Sequence, residues 1–218
     1  MVKVIFEDNH LLVLIKPHNL PTQPTPTSNE SLETQAKNWL KLKYKKTGNV
    51  YLHAIHRLDG PVSGIVVFAK TSKALSRLQA SIRAHKTQKT YFAWVEGDLN
   101  ESGTFEDYLI HGDHKALQGS SSDKEAKLCR LSYEVIKKEK GRTLVKINLE
   151  TGRYHQIRAQ FGFRGYPIIG DKKYGSRCSL NFIALYHASY SIPHPVTNIM
   201  MTFNASVSDL MMNLINKG

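Results

Sequence analysis

Hydrophobic and polar positions along the chain mark a series of short strands, with helices placed irregularly among them. Residues 2–7 and 11–15 are apolar runs flanking Asp8-Asn9-His10, which reads as a β-hairpin with Asp-Asn supplying the turn. The proline-rich stretch 16–26 fits neither a helix nor a central strand. Residues 31–46 carry Leu32, Ala36, Trp39, Leu40 and Tyr44 on one helical stripe, with lysines filling the rest. Residues 64–69 are apolar throughout and predict a buried strand, followed by a helix capped by Ser72 with Leu75, Leu78 and Ile82 inward.

A strand rich in aromatic and β-branched residues spans 90–96, and residues 112–127 are a polar, Ser/Lys-rich surface excursion. Strands follow at 131–137 and 142–149, with Lys140-Gly141 as the turn between them. A helix covers about 154–162, and a loop covers 165–175. Strands return near 182–190 and 199–204, and a short C-terminal helix holds Leu210, Met211 and Leu214. Regular β-α alternation is absent, which disfavours a doubly wound parallel sheet. The expected fold is α+β: a mixed, largely antiparallel central sheet with flanking helices. No linker divides the chain, so residues 1–218 are expected to form a single domain.

Composition adds a partner class. The 218 residues carry 30 Lys and Arg against 18 Asp and Glu, a net charge of +12. That excess points to a polyanion, and nucleic acid is the first candidate. Cys129 and Cys178 form no C-x-x-C pair and no disulfide framework. No apolar run reaches membrane-spanning length and the N-terminus is no signal peptide, so a cytoplasmic protein without a membrane partner is expected. Nothing resembles an oligomerisation helix, and a monomer is the default.

Candidate chemistry falls in several blocks. His56-Arg57-Leu58-Asp59-Gly60-Pro61-Val62-Ser63-Gly64 places one carboxylate, Asp59, in a turn directly before the apolar strand. Turn groups are exposed while a rigid element fixes them, which suits a tuned acid. The block 149–158 gathers Arg153, His155, Gln156 and Arg158 within six residues. On a helix, His155 and Arg158 share a face, and an arginine beside Asp59 would hold that carboxylate ionised. A catalytic pair and a structural salt bridge both satisfy this pattern. Tyr91 alternates with Phe92 along its strand, so one ring faces the core and the other faces away. Lys172 and Lys173 follow Gly170-Asp171 in a glycine-rich loop and suit phosphates, although no Walker spacing is present. Asp171 itself reads as a local backbone cap. His53 and His56 lack the further ligands of a zinc set, and neither G-x-S-x-G nor G-x-G-x-x-G occurs.

Taken together, these blocks resemble the RluA-type family of RNA pseudouridine synthases. Residues 6–13 with Lys16-Pro17 look like that family's first strands. His56-Arg57-Leu58-Asp59 with Ser63-Gly64 looks like its catalytic block, and Lys89 to Trp94 looks like its tyrosine motif. Thr151-Gly152-Arg153, His155-Gln156-Ile157-Arg158, Pro167-Ile168 and Gly170-Asp171 with Tyr174-Gly175 look like its C-terminal block. The similarity runs in order over nearly the whole chain. One departure is Val62, where the family often carries Thr; it bears on subtype more than on activity. The residues show no match to the small N-terminal RNA-binding module of many relatives, so a bare catalytic domain is the expectation.

The resemblance implies isomerisation of uridine to pseudouridine in a stem-loop of ribosomal or transfer RNA, with no cofactor and no metal. It implies Asp59 as nucleophile or base, Tyr91 at the base, Arg158 paired with Asp59, and Ile157 lining the pocket. Arg57, His56, Arg153, His155, Gln156, Lys172 and Lys173 are the RNA-binding candidates. Two rivals are a non-catalytic RNA-binding or chaperone protein, which needs no Asp59, Tyr91 and Arg158 together, and a hydrolytic nucleosidase, which needs a second carboxylate with a clear role.

Overall fold

Strands carry most of the architecture because β-branched and aromatic residues recur at alternating positions. The computed structural model describes residues 2–99 and 101–206. It opens with β1 (Lys3–Glu7), β2 (Leu11–Lys16), α1 (Leu32–Lys43), β3 (His53–Ala54), β4 (Ser63–Ala69) and α2 (Ser72–Arg83). Then come β5 (Gln88–Glu96), β6 (Ser102–His111), β7 (Ala116–Gly119), β8 (Lys127–Glu139) and β9 (Arg142–Leu149). The chain continues through α3 (Gln156–Phe163), a 3-10 turn over Lys172–Tyr174, β10 (Leu185–Pro193) and β11 (Met200–Asn204). The architecture is α+β, as expected. The described residues fall into two compact units: 2–88 with 187–205, and 89–186 with Ser206.

In the first unit β2 pairs antiparallel with both β1 and β4, and β11 pairs antiparallel with β10. The predicted hairpin is present. Asp8 Oδ1 accepts from the backbone N–H groups of His10 and Leu11 at 2.7 and 2.6 Å and so fixes its turn. Leu11, Val13, Ile65, Val67, Leu78, Tyr190 and Ile192 form the buried core. Helix α1 ends at Lys43, earlier than the stripe suggests, because Lys45 turns left-handed at φ 49°. The cap of α2 is Thr71, not Ser72: Thr71 Oγ1 accepts from Ala74 N at 3.1 Å.

In the second unit β5, β9, β8, β6 and β7 form an antiparallel sheet in that order, with non-consecutive strands as neighbours at β5–β9 and β8–β6. Lys140 and Gly141 both take positive φ, 53° and 68°, which matches the twist of the strands they join. The stretch 112–127 is not wholly a surface excursion, because β7 lies within it and pairs with β6. Sequence reasoning missed β6 because its inward positions are Phe105, Asp107 and Leu109. The carboxylate breaks the apolar alternation, yet it is buried by Arg164 and Gln160, which donate to it at 2.9 and 2.7 Å. Helix α3 starts at Gln156, later than predicted, because His155 is left-handed at φ 52°. The proposed C-terminal helix with Leu210, Met211 and Leu214 lies outside the described residues.

Gly64, the second residue of β4, lies at φ +124°, and a Cβ there would meet the backbone of His187 at 2.4–2.8 Å. Only glycine fits such an approach. Gly64→Ala is expected to cost about 3 kcal/mol or more. Gly141→Ala, with nothing within 4 Å of the added carbon, is expected to cost only about 1–2 kcal/mol. Equilibrium denaturation of the two variants checks this order.

Candidate active site

Asp59 sits in the turn that leads into β4, where Val62 N donates to Asp59 O at 3.0 Å. Leu58 and Val62 are buried on either side, Asp59 is half-buried, and Arg57 is exposed. Two residues of the preceding strand and loop hold this turn. Lys16, at the end of β2, is 0% exposed, and its ammonium donates to the carbonyls of Pro17, Leu20 and Gly60 at 2.9, 2.6 and 2.8 Å. Thr22 Oγ1 donates to Leu58 O at 2.9 Å and accepts from Leu58 N at 3.0 Å. The proline-rich loop is thus an ordered strap that grips both sides of Asp59.

Burying an ammonium is costly, and here three carbonyls satisfy its three donors. Burial pushes Lys16 down to about 7, against the opposing pull of the Asp59 carboxylate. His56 lies half-buried with its ring 4.8 Å from Tyr190 and 5.3 Å from His187, and its Nε2 accepts from Val67 N at 3.2 Å. His187 Nδ1 is 2.7 Å from Ile65 O. These two histidines brace the start of β4.

In the second unit, β5 carries Tyr91, which is 6% exposed and lies opposite Ile147 of β9. Helix α3 carries Ile157 and Arg158, both buried. Asp171, 1% exposed, receives Arg158 Nε at 2.6 Å and Nη2 at 2.9 Å. This two-point contact fixes the plane of the guanidinium, which also lies 5.4 Å from the Tyr174 ring centroid. The reading of Asp171 as a backbone cap is therefore corrected: its carboxylate makes no capping bond to the 3-10 turn and serves Arg158. The signal was present in the sequence, since an acid and a base thirteen positions apart flank one loop, but no periodicity links a helix to a loop.

Tyr174 ties the same region together. Its hydroxyl accepts from Ala116 N at 2.7 Å and lies 3.0 Å from His155 Nδ1. Burial pushes this hydroxyl up to about 12. His155 stacks on Tyr154 with ring centroids 3.9 Å apart, which holds its left-handed backbone. Gln156 bonds Thr151 Oγ1, Arg153 N, Arg130 O and Gln160. The structure therefore buries His155 and Gln156 among internal partners and leaves the side chains of Arg57, Arg153, Lys172 and Lys173 on the surface. Lys173 Nζ donates to His114 O at 3.0 Å. Among the described residues no group of three or more His, Cys, Asp or Glu side chains is placed to hold a metal ion.

Two stability measurements test these clamps. Lys16 binds its proton less tightly when folded than when unfolded, so the unfolded state holds more protons between pH 7 and 10. The stability of the wild type relative to Lys16→Met is therefore expected to rise across that window; a flat difference contradicts the buried ammonium. Asp171→Asn removes the carboxylate of the two-point contact with the buried guanidinium of Arg158 and is expected to cost about 3–5 kcal/mol in denaturant unfolding.

Comparison with known proteins gives the arrangement its context. Residues 10–162 match the model of the RNA pseudouridylate synthase family. Ribosomal large subunit pseudouridine synthase D of Pseudomonas aeruginosa is 28% identical over 95% of this chain and 69% of its own. Ribosomal large subunit pseudouridine synthase C of Vibrio vulnificus is 31% identical over 97% of this chain and 68% of its own. The solved structure of human RNA pseudouridylate synthase domain containing 4 superposes with a TM-score of 0.82 at 18% identity, over 98% of this chain and 92% of that one, and so shares the fold. The chain belongs to the RNA pseudouridylate synthase family, and its reaction is the isomerisation of uridine to pseudouridine in RNA.

Proposed function

We propose that this chain isomerises a specific uridine in a ribosomal or transfer RNA stem-loop, with Asp59 as its nucleophile or base. The observation that carries this reading is the clamping of the Asp59 turn by Lys16 and Thr22. A turn that merely linked two elements would need neither a buried ammonium nor a two-way threonine bond. Tyr91 meets the base, Ile157 lines its pocket, and Arg158 pairs with Asp59 to keep it charged. The relatives named for the ribosomal large subunit support ribosomal RNA as the first substrate to try. The protein works as a cytoplasmic monomer without a cofactor.

The chemistry requires the target to leave its stack, because a uracil cannot turn about its own sugar inside a helix. That step costs a few kcal/mol and least in a loop. The N1–C1′ bond then breaks, the C5–C1′ bond forms, the C5 proton leaves, and N1 gains a proton. The RNA keeps its mass and no redox partner takes part. Exposed Arg57 supports the flipped state by occupying the gap, and the surface side chains of Lys172 and Lys173 add phosphate contacts.

Pseudouridine mapping on total RNA from cells lacking the protein tests the assignment. Incubation with wild type is expected to convert a discrete uridine, and Asp59→Ala is expected to reduce conversion by about 10⁴-fold or more, to background. Equal conversion by both proteins contradicts the role of Asp59. RNA binding with no conversion by either protein favours the non-catalytic reading.

A further inference from the structure

Several cations among the described residues face a carboxylate or a set of carbonyls. Glu7 pairs with Lys70 at 2.7 Å and also with Lys43; Glu33 takes Lys37 at 2.7 Å, and Asp171 takes Arg158. Lys89 departs from that pattern. It lies two positions before Tyr91 on β5 and is half-buried. Among the described residues no carboxylate lies within ion-pair distance of Lys89 or Arg153. The charged neighbour of Lys89 is instead another cation, Arg153. Burial first, and then this like charge, hold the Lys89 ammonium below its usual range.

The backbone between them is open. Gly152 is exposed, and a Cβ built there would stand 3.0 Å from Lys89 Nζ. Glycine therefore lets the ammonium come close to the chain beside Arg153. Elsewhere such bare glycine backbone admits a ligand at close range. Two like charges brought together beside a glycine, with no protein anion to neutralise them, form a receptor for an external anion. The position narrows the anion: the pair belongs to the strand of Tyr91 and to the loop that leads into the helix of Arg158.

We propose that Lys89 and Arg153 form a phosphate-binding site that holds one backbone phosphate of the substrate RNA near the target uridine. This rests on RNA being the substrate. Arg153 supplies a planar fork and Lys89 a point charge, so one phosphate is gripped from two sides. The site adds affinity and register rather than base choice.

The test uses the full chain and dodecauridylate RNA as probe, with binding followed by fluorescence anisotropy across a salt series. Lys89→Gln and Arg153→Gln are each expected to weaken binding at low salt by about tenfold. The double variant is expected to be little worse than the weaker single variant, because both cations serve one phosphate. Its slope of log affinity against log salt falls by about 0.7. Lys89→Arg retains wild-type binding. Thermal unfolding separates binding from folding: Lys89→Gln relieves a repulsion, so its midpoint stays level or rises. Wild-type affinity and slope in the double variant overturn the site, as does weakened binding accompanied by a lowered midpoint. If wild type neither binds the probe nor forms pseudouridine in total RNA, the RNA reading itself falls.

Discussion

The burial of one ammonium governs the candidate catalytic turn. Lys16 is closed off from water, so its three donors must find acceptors in the protein. The carbonyls that answer belong to Pro17 and Leu20 in the strap and to Gly60 beside Asp59. A chain segment that satisfies this demand has little freedom left. The loop cannot lift away without stranding a charge, and the turn cannot shift without breaking the same contact. Thr22 adds a second tie to Leu58, so the half-buried Asp59 is gripped on both sides.

The other unit solves the burial of a cation differently. Arg158 is answered by a carboxylate, Asp171, through two parallel bonds. The planar geometry of these bonds fixes the orientation of the guanidinium. Lys16 is answered by neutral carbonyls, and the Asp59 carboxylate only partly offsets the cost of burying it. Lys89 and Arg153 are a third case, in which no protein anion answers among the described residues. A fixed guanidinium, a clamped turn and an open anion receptor are thus three outcomes of one problem, the placing of cations inside a basic protein.

How much of this was legible in sequence depended on the range of the interaction. The first hairpin, the apolar β4, the Lys140-Gly141 turn and the helix before Arg83 follow from local periodicity and turn chemistry, and each is present within a few residues. Asp59 stood out because it combines turn formers with a following apolar strand. Strand β6 did not, because Asp107 faces inward and finds Arg164 fifty-seven positions away. The clamp by Lys16 was hidden for the same reason: Gly60 is forty-four positions distant, and a lysine at the end of a strand reads as solvated. Asp171 looked like a loop cap because its partner lies in the helix before the loop. Sequence patterns show which face is buried; they do not show which distant group will satisfy a buried charge.

The most direct test of the central claim follows the hydrogen at C5 of uridine. Joining C5 to the sugar expels that hydrogen, whereas hydrolysis of the glycosidic bond leaves it on free uracil. RNA labelled with tritium at C5 would be incubated with the protein alone. The account predicts release of tritium to water, with intact RNA and no free uracil. Labelled free uracil, or label retained in the RNA at a site the protein binds, would contradict it.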